Sequence, residues 1–244
     1  MPASNPLRRL IAGHAAAAAL LFGQAAHAQG QIDPDNPTCP QSPNWSSYPE
    51  MRFTLEEIDG RSILLAEGRI DDNVVSRLQA ALDRHPVIDE IWIRSPGGSA
   101  RAGNQAGRII RETGIPTRIP SGWACFSACN FMFMGGAIRY VDPDGLFIVH
   151  MFTHTGDRDA IRSEVSRGVD NTIGLIGDIE QQSALLASED NDFLIRMGIS
   201  RLLLTEVMYR TRAVAGQGGD RSTRRCLTQQ EVNRYNVATV AWTG

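Results

Sequence analysis

An α/β fold on a mainly parallel sheet is the class this sequence predicts, and three observations predict it. Short apolar strands alternate with amphipathic helices along the body of the chain. The 244 residues are 42% hydrophobic and 21% charged, a globular balance with enough chain for one large core. No internal repeat breaks the pattern, and no apolar run in the body reaches membrane-spanning length.

The first segment reads as an address. Arg8 and Arg9 precede an alanine-rich stretch from Leu10 to Ala26, and Ala26-His27-Ala28 sets small residues at a cleavage site. This predicts a secretory signal peptide over residues 1–28 and an exported mature chain, periplasmic or secreted. The stretch is short and weakly apolar for a membrane anchor. Residues 29–60 read as a leader carrying Pro34, Pro37, Pro40 and Pro43, and residues 61–244 as the folded domain.

Ser62 to Ala66 is apolar enough for a strand. Asp71 is placed to cap a helix whose apolar face is Val74, Val75, Leu78, Ala81 and Leu82. Ile88 to Arg94 alternates like a strand, and Ser95 to Ser99 is a glycine turn. Ala102, Ala106, Ile109 and Ile110 mark a second helix, Pro116 to Ile119 a short strand, and Leu146 to His150 a compact one. Ile161, Val165, Val169, Ile173 and Ile176 predict one long helix to about Ala187, with more helix between Asp192 and Tyr209. Thr228-Gln-Gln-Glu231 is a capping box for a last helix, and Val237 to Val240 reads as a final strand.

Composition excludes several function classes. Net charge is −3 with no basic block, so no nucleic-acid partner is expected. All 24 basic residues are arginine. Lysine-based catalysis is therefore excluded, as is a P-loop, and no nucleotide is expected. Cysteine is used four times, at Cys39, Cys125, Cys129 and Cys226. An even count in an exported chain favours disulfides, and neither Cys nor His spacing suits a metal. A Cys39–Cys226 bridge would staple both ends of the body, a benefit of up to about 5 kcal/mol in the chain-entropy account. Cys125 and Cys129 are also candidates to pair, although a bridge within one helical turn is awkward.

The chemistry concentrates between residues 93 and 150. Ile93-Arg94-Ser95-Pro96-Gly97-Gly98 puts two glycines after a strand, where backbone N–H groups can approach a ligand; alone it is an ordinary turn. In Gly122-Trp-Ala-Cys-Phe-Ser127-Ala128, small residues surround a serine at the start of an apolar helix. Such a serine is commonly only a cap, but the helix dipole also favours negative charge there. Leu146-Phe-Ile-Val-His150 ends a buried strand with histidine, and His154 is its near competitor.

Taken together, residues 62–150 resemble the serine peptidase subunit of the Clp protease, within the ClpP/crotonase superfamily and as an exported bacterial-type member. The matching pieces are Ser95-Pro96-Gly97-Gly98, Gly122 to Ser127, and Phe147-Ile148-Val149-His150, with a weaker return at Arg225-Cys-Leu-Thr-Gln-Gln-Glu-Val. The resemblance implies a spiral of ββα units with C-terminal helices. It implies Ser127 as nucleophile, His150 as base, and Gly98 and Ala128 as the oxyanion-hole amides, with no cofactor and no metal. It also implies a homo-oligomer built through the helices after His150. Where the family has its catalytic aspartate, this chain has Arg224. Asp220 is the nearest acid, with Asp190, Asp192, Glu206 and Asp157 as weaker candidates.

The expected function is an exported, ATP-independent serine hydrolase, a peptidase acting by acyl transfer on peptides or unfolded chains. No ATPase partner is expected, because secreted compartments lack ATP. The alternative is a ClpP-like binding or scaffold protein that lost its acid. Export argues against an acyl-CoA enzyme, and the absence of lysine against the Ser–Lys signal peptide peptidases.

Overall fold

The structure, a computed structural model, describes residues 31–34, 36–212 and 223–241. The expected signal peptide and Asp220 lie outside the described residues.

Strand β1 (Ile32–Asp33) pairs antiparallel with β2 (Asn36–Pro40). Strands β3 (Arg52–Ile58) and β4 (Arg61–Glu67) form an antiparallel pair around Asp59-Gly60. Then follow α1 (Val74–Arg84), β5 (Glu90–Arg94), α2 (Ala100–Thr113), β6 (Thr117–Ile119), β7 (Ala124–Phe126), α3 (Ala128–Met134), β8 (Arg139–Val141) and β9 (Leu146–Val149). The remaining elements are α4 (Arg158–Ser166), α5 (Val169–Arg196), a π-helical turn at Leu203–Val207, β10 (Arg225–Cys226) and α6 (Gln229–Arg234).

Two sheets share these strands. The larger has the order β3-β4-β5-β6-β8, parallel from β4 onward; the smaller has the order β10-β9-β7. From β6 on, each unit places one strand in the large sheet, the next in the small sheet, and then a helix: β6-β7-α3, then β8-β9-α4. This is a mainly parallel α/β architecture of ββα units. Among the described residues, no helix is long and apolar enough to cross a membrane.

Apolar periodicity explains the helices that pack on the large sheet. Val74, Leu78 and Ala81 of α1 and Ala102, Ala106 and Ile110 of α2 recur every three or four residues and are buried. Each fully buried aliphatic side chain contributes about 1.5–3 kcal/mol. Helix α2 lies almost backbone to backbone against α3, because a Cβ on Gly107 would meet the Phe131 carbonyl oxygen at 2.2 Å. The Thr228 capping box opens α6 as expected, with both reciprocal bonds made to Glu231.

Four details differ from the sequence reading. The segment read as a leader is structured: β3 completes the large sheet, Met51 is fully buried, and β2 is tied to β10 by the Cys39–Cys226 disulfide. Asp71 does not cap α1; Asn73 holds the cap position, while Asp71 accepts its N–H and pairs with Arg77. The single long helix is two, broken where Gly168 turns to a φ of 110°. Val237 to Val240 is not a strand; it is pinned by a buried side chain instead. Arg139, 1% exposed, donates to the carbonyls of Val237, Asn236, Gly136 and Met197. Burial, with Arg111 nearby, pushes its pKa down to about 10, so it stays cationic at neutral pH.

Glu90 fixes the bottom of β5 by the same principle. Its carboxylate is nearly inaccessible, pairs with Arg61 and Arg118, and accepts from the Trp92 indole at 2.7 Å. Burial opposes the charge, but the bonds from Arg118, Arg61 and Trp92 outweigh it and hold the pKa at about 2. A folded pKa below the unfolded one gives stability that is full above the unfolded value of about 4.5 and lost as pH falls toward 2. Glu90→Gln should therefore cost about 3 kcal/mol at pH 7. In urea denaturation, the gap between wild type and variant should hold constant from pH 7 to about pH 5 and narrow from there to pH 2.5; a gap independent of pH over the whole range would contradict the assignment.

Candidate active site

The site forms where the two sheets touch. Strand β5 leaves the large sheet after Arg94, and its next residue, Ser95, makes a parallel bridge with Cys125 of β7. The Ser95 N–H donates to the Ala124 carbonyl, and the Phe126 N–H to the Ser95 carbonyl, both at 3.1 Å. This ladder step carries the Pro96-Gly97-Gly98 turn to the end of β7, where Ser127 stands. The buried Ser95 hydroxyl accepts the Gly97 N–H at 3.0 Å and closes the turn.

Only glycine fits the two positions that follow. Gly97 and Gly98 have φ of 84° and 148°. A Cβ on Gly97 would lie 2.8 Å from the Ser127 Cβ, and one on Gly98 would lie 1.9 Å from the Ile70 carbonyl oxygen. Ile70 donates to the Gly97 carbonyl at 2.9 Å and accepts from the Ser99 N–H at 2.8 Å. In that parallel bridge the Gly98 N–H points away from Ile70.

Ser127 sits on a sharp turn between β7 and α3, with φ 58° and ψ −122°. Such backbone costs about 1–3 kcal/mol for a residue with a Cβ. The serine occupies the N-cap position of α3 but makes no capping bond. Its hydroxyl turns to His150 instead, with Oγ 2.6 Å from Nε2. Ala128 is the first residue of the helix, so its N–H has no acceptor one turn earlier within α3.

Strand β9 delivers His150, and several groups hold it in register. Asn130, on α3, donates to the Ile148 carbonyl at 2.7 Å, and Ser127 donates its own N–H to that carbonyl at 3.3 Å. The Phe126 ring lies 4.8 Å from the imidazole, Trp45 stacks on Phe126, and the Arg224 guanidinium covers Phe126 at 4.7 Å. Asn130 and Trp45 were not singled out in the sequence. Asn130 is three residues past the serine on the same short helix, and that spacing was the available signal.

Strand β10 runs antiparallel to β9 with Arg225 opposite Val149, and Thr223 bonds both the N–H and the carbonyl of Met151. Arg224 therefore comes level with His150, but its side chain belongs to the stack behind the imidazole. Of the other acids, Asp157 pairs with His154, Asp192 with Arg108 and Arg196, and Glu206 with Arg234 and Tyr235. Asp190 lies instead in the wall of a cavity of about 650 Å³ beside Ser127 and His150.

The disulfide Cys125–Cys129 spans the turn that carries Ser127. The sequence reading took the pair to share a helical turn. Cys125 is in β7 and Cys129 in α3, and the reversal at Ser127 brings their Cα atoms to 5.3 Å. No cluster of metal-binding side chains occurs among the described residues.

No family model and no curated protein matches the sequence. Among solved structures, the chain is similar to a ClpP1 variant from Listeria monocytogenes, with TM-score 0.42 and 14% identity over 72% of this chain and 88% of that one. It is also similar to a variant of 1510-N, a membrane-bound stomatin-specific protease, with TM-score 0.44 and 12% identity over 75% of this chain and 78% of the other. These likenesses concern the fold; the chemistry of the site stands on the geometry above.

The strained serine generates a prediction about stability. Ser127→Gly should remove the conformational cost and lose the hydroxyl. Stability should rise by about 1 kcal/mol, after the extra chain entropy of glycine is subtracted. Thermal unfolding of the two proteins checks it, and an unchanged or lowered midpoint would show that the turn is not strained.

Proposed function

We propose that the chain is a ClpP-like serine hydrolase that cleaves peptides by acyl transfer through Ser127. The observation that carries this reading is the 2.6 Å approach of His150 Nε2 to Ser127 Oγ. The serine is on a strained strand-to-helix turn, with the Gly97-Gly98 turn against it. A serine hydroxyl is a poor nucleophile at neutral pH and needs a base within hydrogen-bond reach. His150 takes the hydroxyl proton as Oγ attacks the substrate carbonyl, and returns it to the leaving amine. A water then attacks the acyl-enzyme by the same route. The Gly98 and Ala128 N–H groups are the donors for the tetrahedral oxyanion, an arrangement worth about 3–4 kcal/mol per donor in comparable sites. Asp220 is the first candidate for an acid that orients the imidazole. The signal-like N-terminus and the two disulfides support export of the mature chain, and ATP-independent action follows from that setting.

A fluorophosphonate probe should label Ser127 in the mature protein and leave Ser127→Ala and His150→Ala unlabelled. Asp220→Asn should slow peptide hydrolysis by up to about 10⁴-fold if the acid is engaged. Absence of labelling in all four proteins would favour the second reading, a binding protein. Arg224, placed where the resemblance calls for the acid, is the residue that supports that alternative.

The proposal includes self-association. Val165, Val169, Ile173 and Ile176 point outward, each more than half exposed, along α4 and α5. More than half exposed, they are not buried against the chain's own sheets. A row of exposed aliphatic side chains on one helical edge suits a second copy. Light scattering at micromolar concentration should give an oligomer that Ile173→Glu with Ile176→Glu converts to monomer; a wild-type monomer would remove this part of the proposal.

A further inference from the structure

The cavity beside Ser127 is mostly apolar, and among its lining residues Asp190 carries the one carboxyl group. Met134, Phe147 and Met208 form part of its wall, and α5 contributes Leu186, Asp190 and Leu194 at spacings of four residues. Asp190 has no ion pair or hydrogen bond among the described residues. Two residues on, Asp192 holds Arg108 and Arg196. Burial, helped by the neighbouring Glu189, pushes the Asp190 pKa up to about 7; burial, with Asp190 as the lesser cause, also pushes the Tyr209 phenol up. A lone carboxyl in an apolar wall is costly to keep. Nothing in the catalytic scheme uses it.

We infer that this cavity receives a basic side chain of the substrate, arginine in preference to lysine, and that Asp190 is the group that binds its cation. The inference rests on the serine-hydrolase reading of Ser127, since it names the residue class presented to that nucleophile. The shape of the chemistry carries it. Methylene stems of long basic side chains pack on apolar walls while the charged head seeks a partner. A guanidinium matches a carboxylate with two parallel hydrogen bonds, and it sheds water more readily than an ammonium. An aliphatic side chain would fill the walls but leave the carboxyl buried and unmet. An acidic one would be repelled. Arrival of the cation also favours the ionised carboxylate, so binding near neutral pH should release a proton.

The test uses the mature Ser127→Ala chain, which cannot turn substrate over, and three acetylated tripeptide amides, Ala-Ala-Arg, Ala-Ala-norleucine and Ala-Ala-Glu. Titration calorimetry at pH 7 in two buffers of different ionisation heat reads affinity and proton release together. The arginine peptide should bind roughly ten- to hundredfold more tightly than the norleucine peptide, with proton release. Adding Asp190→Asn should abolish both the advantage and the release, while norleucine binding stays within about twofold. Equal binding of arginine and norleucine, an advantage that survives Asp190→Asn, or no binding of any peptide would overturn the inference. Fluorophosphonate labelling of the wild-type chain keeps the two questions apart. A labelled Ser127 without an arginine preference defeats the pocket assignment alone, and an unlabelled one defeats the hydrolase reading.

Discussion

One backbone contact, the bridge between Ser95 and Cys125, is the constraint on which the site depends. Each sheet could form its own ladders without it. With it, the chain leaving β5 must pass the end of β7, and Pro96, Gly97 and Gly98 are delivered against Ser127. The local sequence is fitted to that crossing. Ser95 closes the turn with its hydroxyl, and the two glycines admit a backbone approach that any Cβ would block. The chemistry of the serine is thus set by strand geometry before any catalytic side chain is considered.

The second sheet is small, with strands of two to four residues, and it is held by means other than ladder length. Strand β10 is tied to β2 by Cys39–Cys226, which closes a separation of 187 residues. Asn130 fastens α3 to β9 from inside. Arg139 gathers four carbonyls from three parts of the chain and anchors the residues after α6. The disulfide is a covalent tie, while Asn130 and Arg139 satisfy backbone carbonyls that have to be met away from water. The His150 imidazole rests on this frame through Phe126, so the Trp45–Phe126–Arg224 stack connects the N-terminal segment to the position of the imidazole.

What the sequence made legible follows from the range of each signal. Periodicity within a dozen residues was sufficient for α1, α2 and β4, and the Thr228 box for α6. Ser127, His150 and the paired glycines each lie at a strand end, but each local signature alone reads as an ordinary turn, cap or strand end, and only the resemblance grouped them into one expected site. Strands β7 and β8 have three residues each, too few for alternation to register, and they form because their partners are already in place. The apolar row from Ile161 to Ile176 has helical spacing but no memory of which way it faces, and Gly168 breaks the helix within it. The sequence also placed β3 in a leader, because its charged residues, Glu56 and Glu57, face outward on an edge strand.

The same site accumulates three costs that an inert fold would shed. Ser127 holds a backbone conformation that glycine would adopt more easily. Asp190 keeps a buried carboxyl without a partner. The row along α4 and α5 leaves aliphatic surface in water. Selection for stability alone removes such features, since substitutions that relieve them are single and common. Their grouping is spatial: the strained serine and the lone carboxyl face one cavity, and most of the exposed row lies on the helix that carries that carboxyl. Strain at a serine, a carboxyl without a counter-ion and an uncovered helix edge are each relieved by something arriving from outside the chain.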